Sequence, residues 1–341
     1  MDYRDPLYGV IILFALIFII SSVSYWWGIF KSKEDETNIK KFVKKFDQYD
    51  SFDDYKQLIQ KKDLPTESAI LMALTYEKSG EYEKAIEIYL SILKNMVGPK
   101  RRKDVLTLLG KTYYKAGFLK KSREILLTSL RLYPKNEEAL TYLSVIYETL
   151  REYDKALEVL DTLEEFGCAV EQKKLYFQTL TIIHNKSMSL EKKVDGLKSL
   201  GLEHKIVQRK LFEFLKSNNL PFESALLKQY DFNNIIDLLW VTRLEKFDEA
   251  FVKEQPLLAE IFTARGDVLE AKESDIFALN VLIKLHLQED ASGDLSFSYI
   301  CKNCKNVFPL YFYRCPKCQQ IDTAEIETNL IKRGYETGSF I

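Results

Sequence analysis

Three stretches decide how this chain folds: MALTYEKSGEYEKAIEIYLSIL at residues 72–93, LGKTYYKAGFLKKSREILLTSL at 109–130 and LSVIYETLREYDKALEVLDTL at 143–163. They share one register. Tyr76, Tyr113 and Tyr147 align, and Ala85, Ser122 and Ala156 follow nine residues later in each. The tyrosines are 37 and 34 residues apart, the longer interval holding the linker KNMVGPKRRKD. Apolar side chains recur three and four apart in every stretch, which predicts a pair of amphipathic helices. Small residues, Ala73, Gly110 and Ser144 on the first helix and Ala85, Ser122 and Ala156 on the second, leave the room that a close helical hairpin needs. Gly80 and Gly117 suit the left-handed residue that ends a helix; Arg151 stands there in the third stretch and predicts a turn of another conformation.

A period near 34 residues, with a small residue in the second helix and Pro134 closing the second unit, resembles the tetratricopeptide repeat. Such repeats are expected over residues 65–165. By comparison with that family's register, Glu77, Lys78, Lys111, Tyr114, Lys115 and Glu148 would line a peptide groove of mixed charge. Taken singly, each fits an ordinary solvated face better. From 166 to 290 the helical periodicity continues without the motif, in EQKKLYFQTLTIIHN, VQRKLFEFLKSN, FNNIIDLLWVTRL and ALNVLIKLHLQE, and predicts further hairpins built of divergent repeats.

Ahead of the repeats, 25 uncharged residues run from 6 to 30 as PLYGVIILFALIFIISSVSYWWGIF, longer than the roughly 20 that a helix needs to cross a bilayer. Tyr25, Trp26 and Trp27 sit where a headgroup belt belongs. A cleaved signal peptide would have a shorter apolar run, a more basic start and a small-x-small cleavage site. Lys31, Lys33, Lys40, Lys41, Lys44 and Lys45 follow the span while Arg4 alone precedes it, which places the bulk of the chain in the cytoplasm. Residues 31–64 read as a helical segment joining membrane to repeats.

Near the other end lies CKNCKNVFPLYFYRCPKCQQ, in which Cys301, Cys304, Cys315 and Cys318 form two Cys-x-x-Cys pairs ten residues apart. Each pair can bend both sulfurs toward one ion, and two pairs complete a tetrahedral four-thiolate site for zinc or iron. Two disulfides would need an oxidising compartment, against the lysine bias after the membrane span. A thioredoxin-like dithiol belongs on a βαβ unit, and none is visible. Short strands are expected in FSYICKNC and VFPLYFYRC, within a metal module at 298–325 that is followed by a tail at 326–341. So small a domain lacks the core to fold without its metal, and its aromatics, Phe308, Tyr311, Phe312 and Tyr313, exceed what that core requires. Part of the stripe is therefore expected to pack on the helical repeats. Cys168, apart from the cluster, reads as a small buried apolar residue.

Composition narrows the function. With 49 basic and 50 acidic residues the chain has no excess of positive charge for nucleic acid. It shows no phosphate loop, no zinc-protease motif and no nucleophile elbow, and His184, His204 and His286 are scattered, so a non-enzyme is expected.

One membrane helix, then tetratricopeptide repeats, then a rubredoxin-type four-cysteine module: this order resembles the lipopolysaccharide assembly protein B family over essentially the whole chain. The cysteine spacing and the Cys315-Pro316 step are its most specific elements. Lys305 and Gln319 depart from the Gly that commonly follows the second cysteine of a rubredoxin pair, a change bearing on hydrogen bonds to sulfur. The resemblance implies an all-α, helical-hairpin solenoid with one membrane helix and a small metal module. It also implies an inner-membrane adaptor that regulates lipopolysaccharide synthesis by presenting the deacetylase LpxC to the membrane protease FtsH. A membrane-anchored rubredoxin-like electron carrier, or a tetratricopeptide scaffold for another envelope complex, are the alternatives.

Overall fold

The computed structural model describes residues 65–96 and 99–333. The expected membrane helix at 6–30 and the segment at 31–64 lie outside the described residues. No helix among the described residues is long and apolar enough to cross a membrane. The chain divides into two compact units, residues 1–134 and 135–341.

In the first unit, helices α1 (Thr66–Lys78), α2 (Tyr82–Asn95), α3 (Pro99–Lys115) and α4 (Leu119–Leu132) form two hairpins. The small residues act as the register requires. Ala73, Ala85 and Ser122 are fully buried, and a Cβ at Gly110 would lie 2.6 Å from Leu126 Cγ, so only glycine admits α4 this close to α3. Ser122 Oγ donates to Gly110 O at 2.6 Å across the same contact.

The second unit begins with the third hairpin, α5 (Glu137–Thr149) and α6 (Tyr153–Glu165), followed by α7 (Glu171–His184), α8 (Leu190–Ser199) and α9 (Lys205–Ser217). Arg151 corrects the expectation drawn from its side chain. It adopts the same left-handed backbone as the glycines, φ 59° against 83° for Gly80 and Gly117. Its N–H bonds Glu148 O and the next N–H bonds Tyr147 O, as Gly80 with Glu81 and Gly117 with Phe118 do in their turns. These two bonds close the helix end, and their gain outweighs the cost of a side chain in this conformation.

Beyond α9 regular hairpins give way to short pieces: α10 (Ser224–Leu227), α11 (Ile236–Trp240), α12 (Glu249–Glu254), α13 (Pro256–Arg265) and α14 (Phe277–Leu287), with 3-10 turns at Phe232–Ile235 and Leu244–Lys246. The stretch FNNIIDLLWVTRL is thus broken where one helix was expected. Asp231 takes hydrogen bonds from Asn233 N and from the amides of Asn233 and Asn234, a local alternative to the helical ladder. What unites these pieces is an aromatic core. Phe212 stacks on Phe222 at 4.6 Å, Phe222 on Phe247 at 5.2 Å, and Phe247 meets Phe262 at 5.4 Å.

A three-stranded antiparallel sheet follows α14 in the order β2-β1-β3. Strand β1 (Gly293–Cys301) pairs briefly with β2 (Val307–Phe308) and over its full length with β3 (Ala324–Lys332), from Gly293 opposite Lys332 to Cys301 opposite Ala324. The sheet is wider than the 298–325 module expected. It takes in Gly293 to Ser296 of the turn-rich DASGDLS on one side and, on the other, residues 326–332 of AEIETNLIK, which the sequence reading gives to the tail. Leu295, Tyr299 and Cys301 alternate inward along β1, as a half-buried strand requires.

Candidate metal centre

Both Cys-x-x-Cys pairs fold into the same tight loop. After the first, Lys305 N donates to Cys301 O at 2.9 Å and Cys301 N to Asn306 O at 3.0 Å; after the second, Gln319 N donates to Cys315 O at 2.9 Å and Cys315 N to Gln320 O at 2.8 Å. Within each loop the N–H of the second cysteine points at the first sulfur, Cys304 N to Cys301 Sγ and Cys318 N to Cys315 Sγ, both at 3.5 Å. Lys305 and Gln319 take the left-handed backbone that glycine usually supplies, at φ 59° and 61°. The sulfur hydrogen bonds therefore survive the departure from glycine.

These loops bring the four sulfurs within 4.8 Å of one another. Cys301 and Cys318 are 3.6 Å apart, as are Cys304 and Cys315. Metal–sulfur bonds of about 2.3 Å in a tetrahedron require edges of about 3.8 Å, so the arrangement is compatible with a metal ion. All five cysteines of the chain are free thiols. Burial alone would raise the Cys301 thiol, but the Cys304 N–H and the Thr323 hydroxyl, 3.2 Å from its sulfur, bring it down to about 6. The Asn306 N–H lowers Cys304. Burial pushes Cys315 up to about 12.

The module is seated on helices of its own unit. Its core is small: Tyr299, Cys301, Phe312, Cys315 and Ala324. Phe308 and Phe312 face each other inside it at 5.0 Å. On either side of Phe312, Tyr313 turns outward and Tyr311 bridges the core and the helices, 5.4 Å from Tyr299. Tyr311 lies against the Arg209 guanidinium of α9 at 3.4 Å, and Tyr313 lies under the Lys210 ammonium at 3.6 Å while stacking on Tyr176 of α7 at 5.9 Å. The aromatic stripe thus divides between the module core and the helices, as its excess over the core's needs implied.

Two carboxylates lock the seat. Glu148 of α5 holds Arg314, whose Nε and Nη2 both reach Oε2 at 2.6 Å, and accepts Tyr176 Oη on Oε1 at 3.0 Å. Asp237 of α11 accepts Arg209 on both oxygens, at 2.8 and 2.6 Å, and Tyr299 Oη at 2.8 Å. Burial opposes the Arg209 charge, but Asp237 outweighs it and holds the guanidinium above its usual range. Lys205 donates to Ala324 O.

Of the residues assigned to a groove, Glu148 therefore carries the module. Glu77 is buried and takes Thr112 Oγ1 and Lys115 Nζ at 2.5 Å each, tying α1 to α3. Lys78 and Lys115 are exposed, and Lys111 and Tyr114 are half-buried on α3. Arg209, Asp237, Tyr299 and Arg314 went unassigned from sequence. Arg314 carried a signal, a lone charge between an aromatic stripe and a cysteine, but Asp237 carried none.

No curated protein matches the chain. Among solved structures, MamA from Desulfovibrio magneticus RS-1 is 15% identical with a TM-score of 0.38, covering 51% of this chain and 94% of that one. MamA AMB-1 is 19% identical with a TM-score of 0.36, covering 53% and 94%. A Podospora anserina structure of nearly identical TPR-like repeats, titled for a kinesin light chain, is 17% identical with a TM-score of 0.34, covering 48% and 92%. Residues 68–103 match the tetratricopeptide repeat, in the stretch where Tyr76 and Ala85 set the register.

Proposed function

We propose that this chain is a non-enzymatic adaptor held in the bacterial inner membrane by residues 6–30, with its bulk in the cytoplasm. It gathers the deacetylase LpxC and the membrane protease FtsH and so regulates lipopolysaccharide synthesis. The observation that carries the reading is the seating of a four-cysteine module on helices α5, α7 and α9, in a chain that also carries a tetratricopeptide repeat. Order and cysteine spacing also resemble the lipopolysaccharide assembly protein B family. Cys301, Cys304, Cys315 and Cys318 would hold one zinc or iron ion, and a closed four-thiolate site supplies structural cross-linking with no open position for substrate. Lys78, Lys111, Tyr114 and Lys115 on α1 and α3 remain the groove candidates for a client. A membrane tether raises the local concentration of membrane partners, so weak groove contacts suffice.

Depletion of the protein should lengthen the half-life of LpxC, and crosslinking from membranes should capture both LpxC and FtsH. Unchanged LpxC turnover sinks the lipopolysaccharide-specific reading. Loss of both crosslinks on Cys301→Ser with Cys304→Ser would show that the module is needed to hold the partners. The N–H groups aimed at Cys301 and Cys315 sulfur would also tune an iron site, which favours the electron carrier as second reading. A colourless native protein excludes it.

A further inference from the structure

Residues 311–314 meet the helices as a bound peptide meets a receptor. Three of the four side chains reach the helices and one anchors the run in the module. Tyr311 and Tyr313 face α9 and α7, Phe312 turns away into the module core, and Arg314 ends the run on Glu148. The receiving residues, Glu148, Tyr176, Arg209 and Lys210, lie on three helices of one unit and together surround this short run. We infer that α5, α7 and α9 form a peptide-binding groove that the chain fills with its own residues 311–314, and that the four-cysteine site governs how firmly it is filled. The competing occupant has the same chemistry: an extended peptide ending in arginine, with aromatic residues one and three positions before it.

The coupling follows from covalent adjacency. Arg314 directly precedes Cys315, and Cys301 and Cys315 are two of the five buried residues in the module core. A domain of that size holds its shape through its metal. With the ion removed, Phe312 loses its seat, and residues 311–314 pass from a preorganised ligand to a tethered flexible one. Glu148 and the Tyr176 ring then become available to an outside peptide. The inference rests on the metal-holding part of the proposed function and is independent of the LpxC partnership.

The test uses the full chain in detergent and a fluorescently labelled peptide of residues 308–314, FPLYFYR, read by anisotropy, with metal content measured on the same samples. Chelation should tighten peptide binding by at least about tenfold. Glu148→Gln should abolish that gain, and a peptide with alanine in place of its arginine should fail to bind. Because chelation could loosen neighbouring helices, the decisive variant is Arg314→Ala with its metal in place. It keeps all four cysteines, and it should admit the peptide without chelator. Equal binding to loaded and chelated chain, binding that survives Glu148→Gln, or exclusion of the peptide from metal-loaded Arg314→Ala would each overturn the inference. Native protein that holds no metal would overturn the control by the four-cysteine site, and peptide binding to Arg314→Ala as purified, against none to wild type, would then decide whether the groove exists.

Discussion

Asp237→Ala tests the seat of the module at its most buried point. The side chains of Arg209 and Asp237 are 2% and 6% exposed, joined by hydrogen bonds of 2.8 and 2.6 Å. Removing the carboxylate strands a guanidinium that still reaches Asn234 O at 3.1 Å, Glu213 at 3.5 Å and the Tyr311 ring, and it leaves Tyr299 Oη without its acceptor. Breaking a buried pair from one side costs about 3–5 kcal/mol, and Glu213 keeps part of the compensation, so about 3 kcal/mol is expected. For a unit of this size that lowers the thermal midpoint by about 6–12 °C, measurable by circular dichroism on the full chain. Asp237→Asn should cost about half as much, because it keeps an acceptor for Tyr299. Arg209→Met with Asp237→Leu should be closer to wild type than either single change, since no charge is left uncompensated. A loss below about 1 kcal/mol for Asp237→Ala, or a double variant as damaged as the sum of the singles, would refute the closed pair.

Other expectations follow from local geometry. Arg151→Gly should raise stability by about 0.5–1 kcal/mol in denaturant titration, because glycine enters the left-handed turn at lower cost. Gly110→Ala should destabilise by about 1–2 kcal/mol in the same assay: the new methyl meets Leu126 Cγ at 2.6 Å, which exceeds the gain in helix propensity. Metal affinity should rise with pH. The bound ion needs thiolates, and Cys315, pushed up to about 12, carries a proton at neutral pH that binding must release. Below about 6 Cys301 also protonates and affinity falls further. Calorimetry in buffers of different ionisation enthalpy should count at least one proton released per metal, and none released would contradict the burial of Cys315.

Features that depend on local chemistry were legible in the sequence. The spacing of Tyr76, Tyr113 and Tyr147 and the small residues nine positions on mark the hairpins because close helix packing leaves little choice of side chain. The cysteine pairs are legible because tetrahedral thiolate binding fixes both residue type and spacing. What escaped depends on distant partners. Asp237 looks like a solvated helical charge until β1 brings Tyr299 to it, 62 residues later. Glu148 suits a groove in the family register, yet its partner here is Arg314. Arg151 shows the limit of residue preference: two hydrogen bonds at the helix end decide the turn and the side chain follows. Strand β3 escaped beyond residue 325 because Glu327 and Asn329 give it a polar outer face that reads as tail.

The contact between Glu148 and Arg314 spans 166 residues, and this separation has a consequence for biogenesis. At about 5–20 residues per second, ribosomes need roughly 8–33 s to make the chain between them. For most of that interval α5 and α7 are already made, with Glu148 and the Tyr176 ring waiting for residues 311–314. The four-cysteine site is complete only once Cys318 has emerged, so closure of this surface comes late in synthesis. A chain that terminates early, or a cell short of the metal, would display an open receptor where the finished protein has a sealed one.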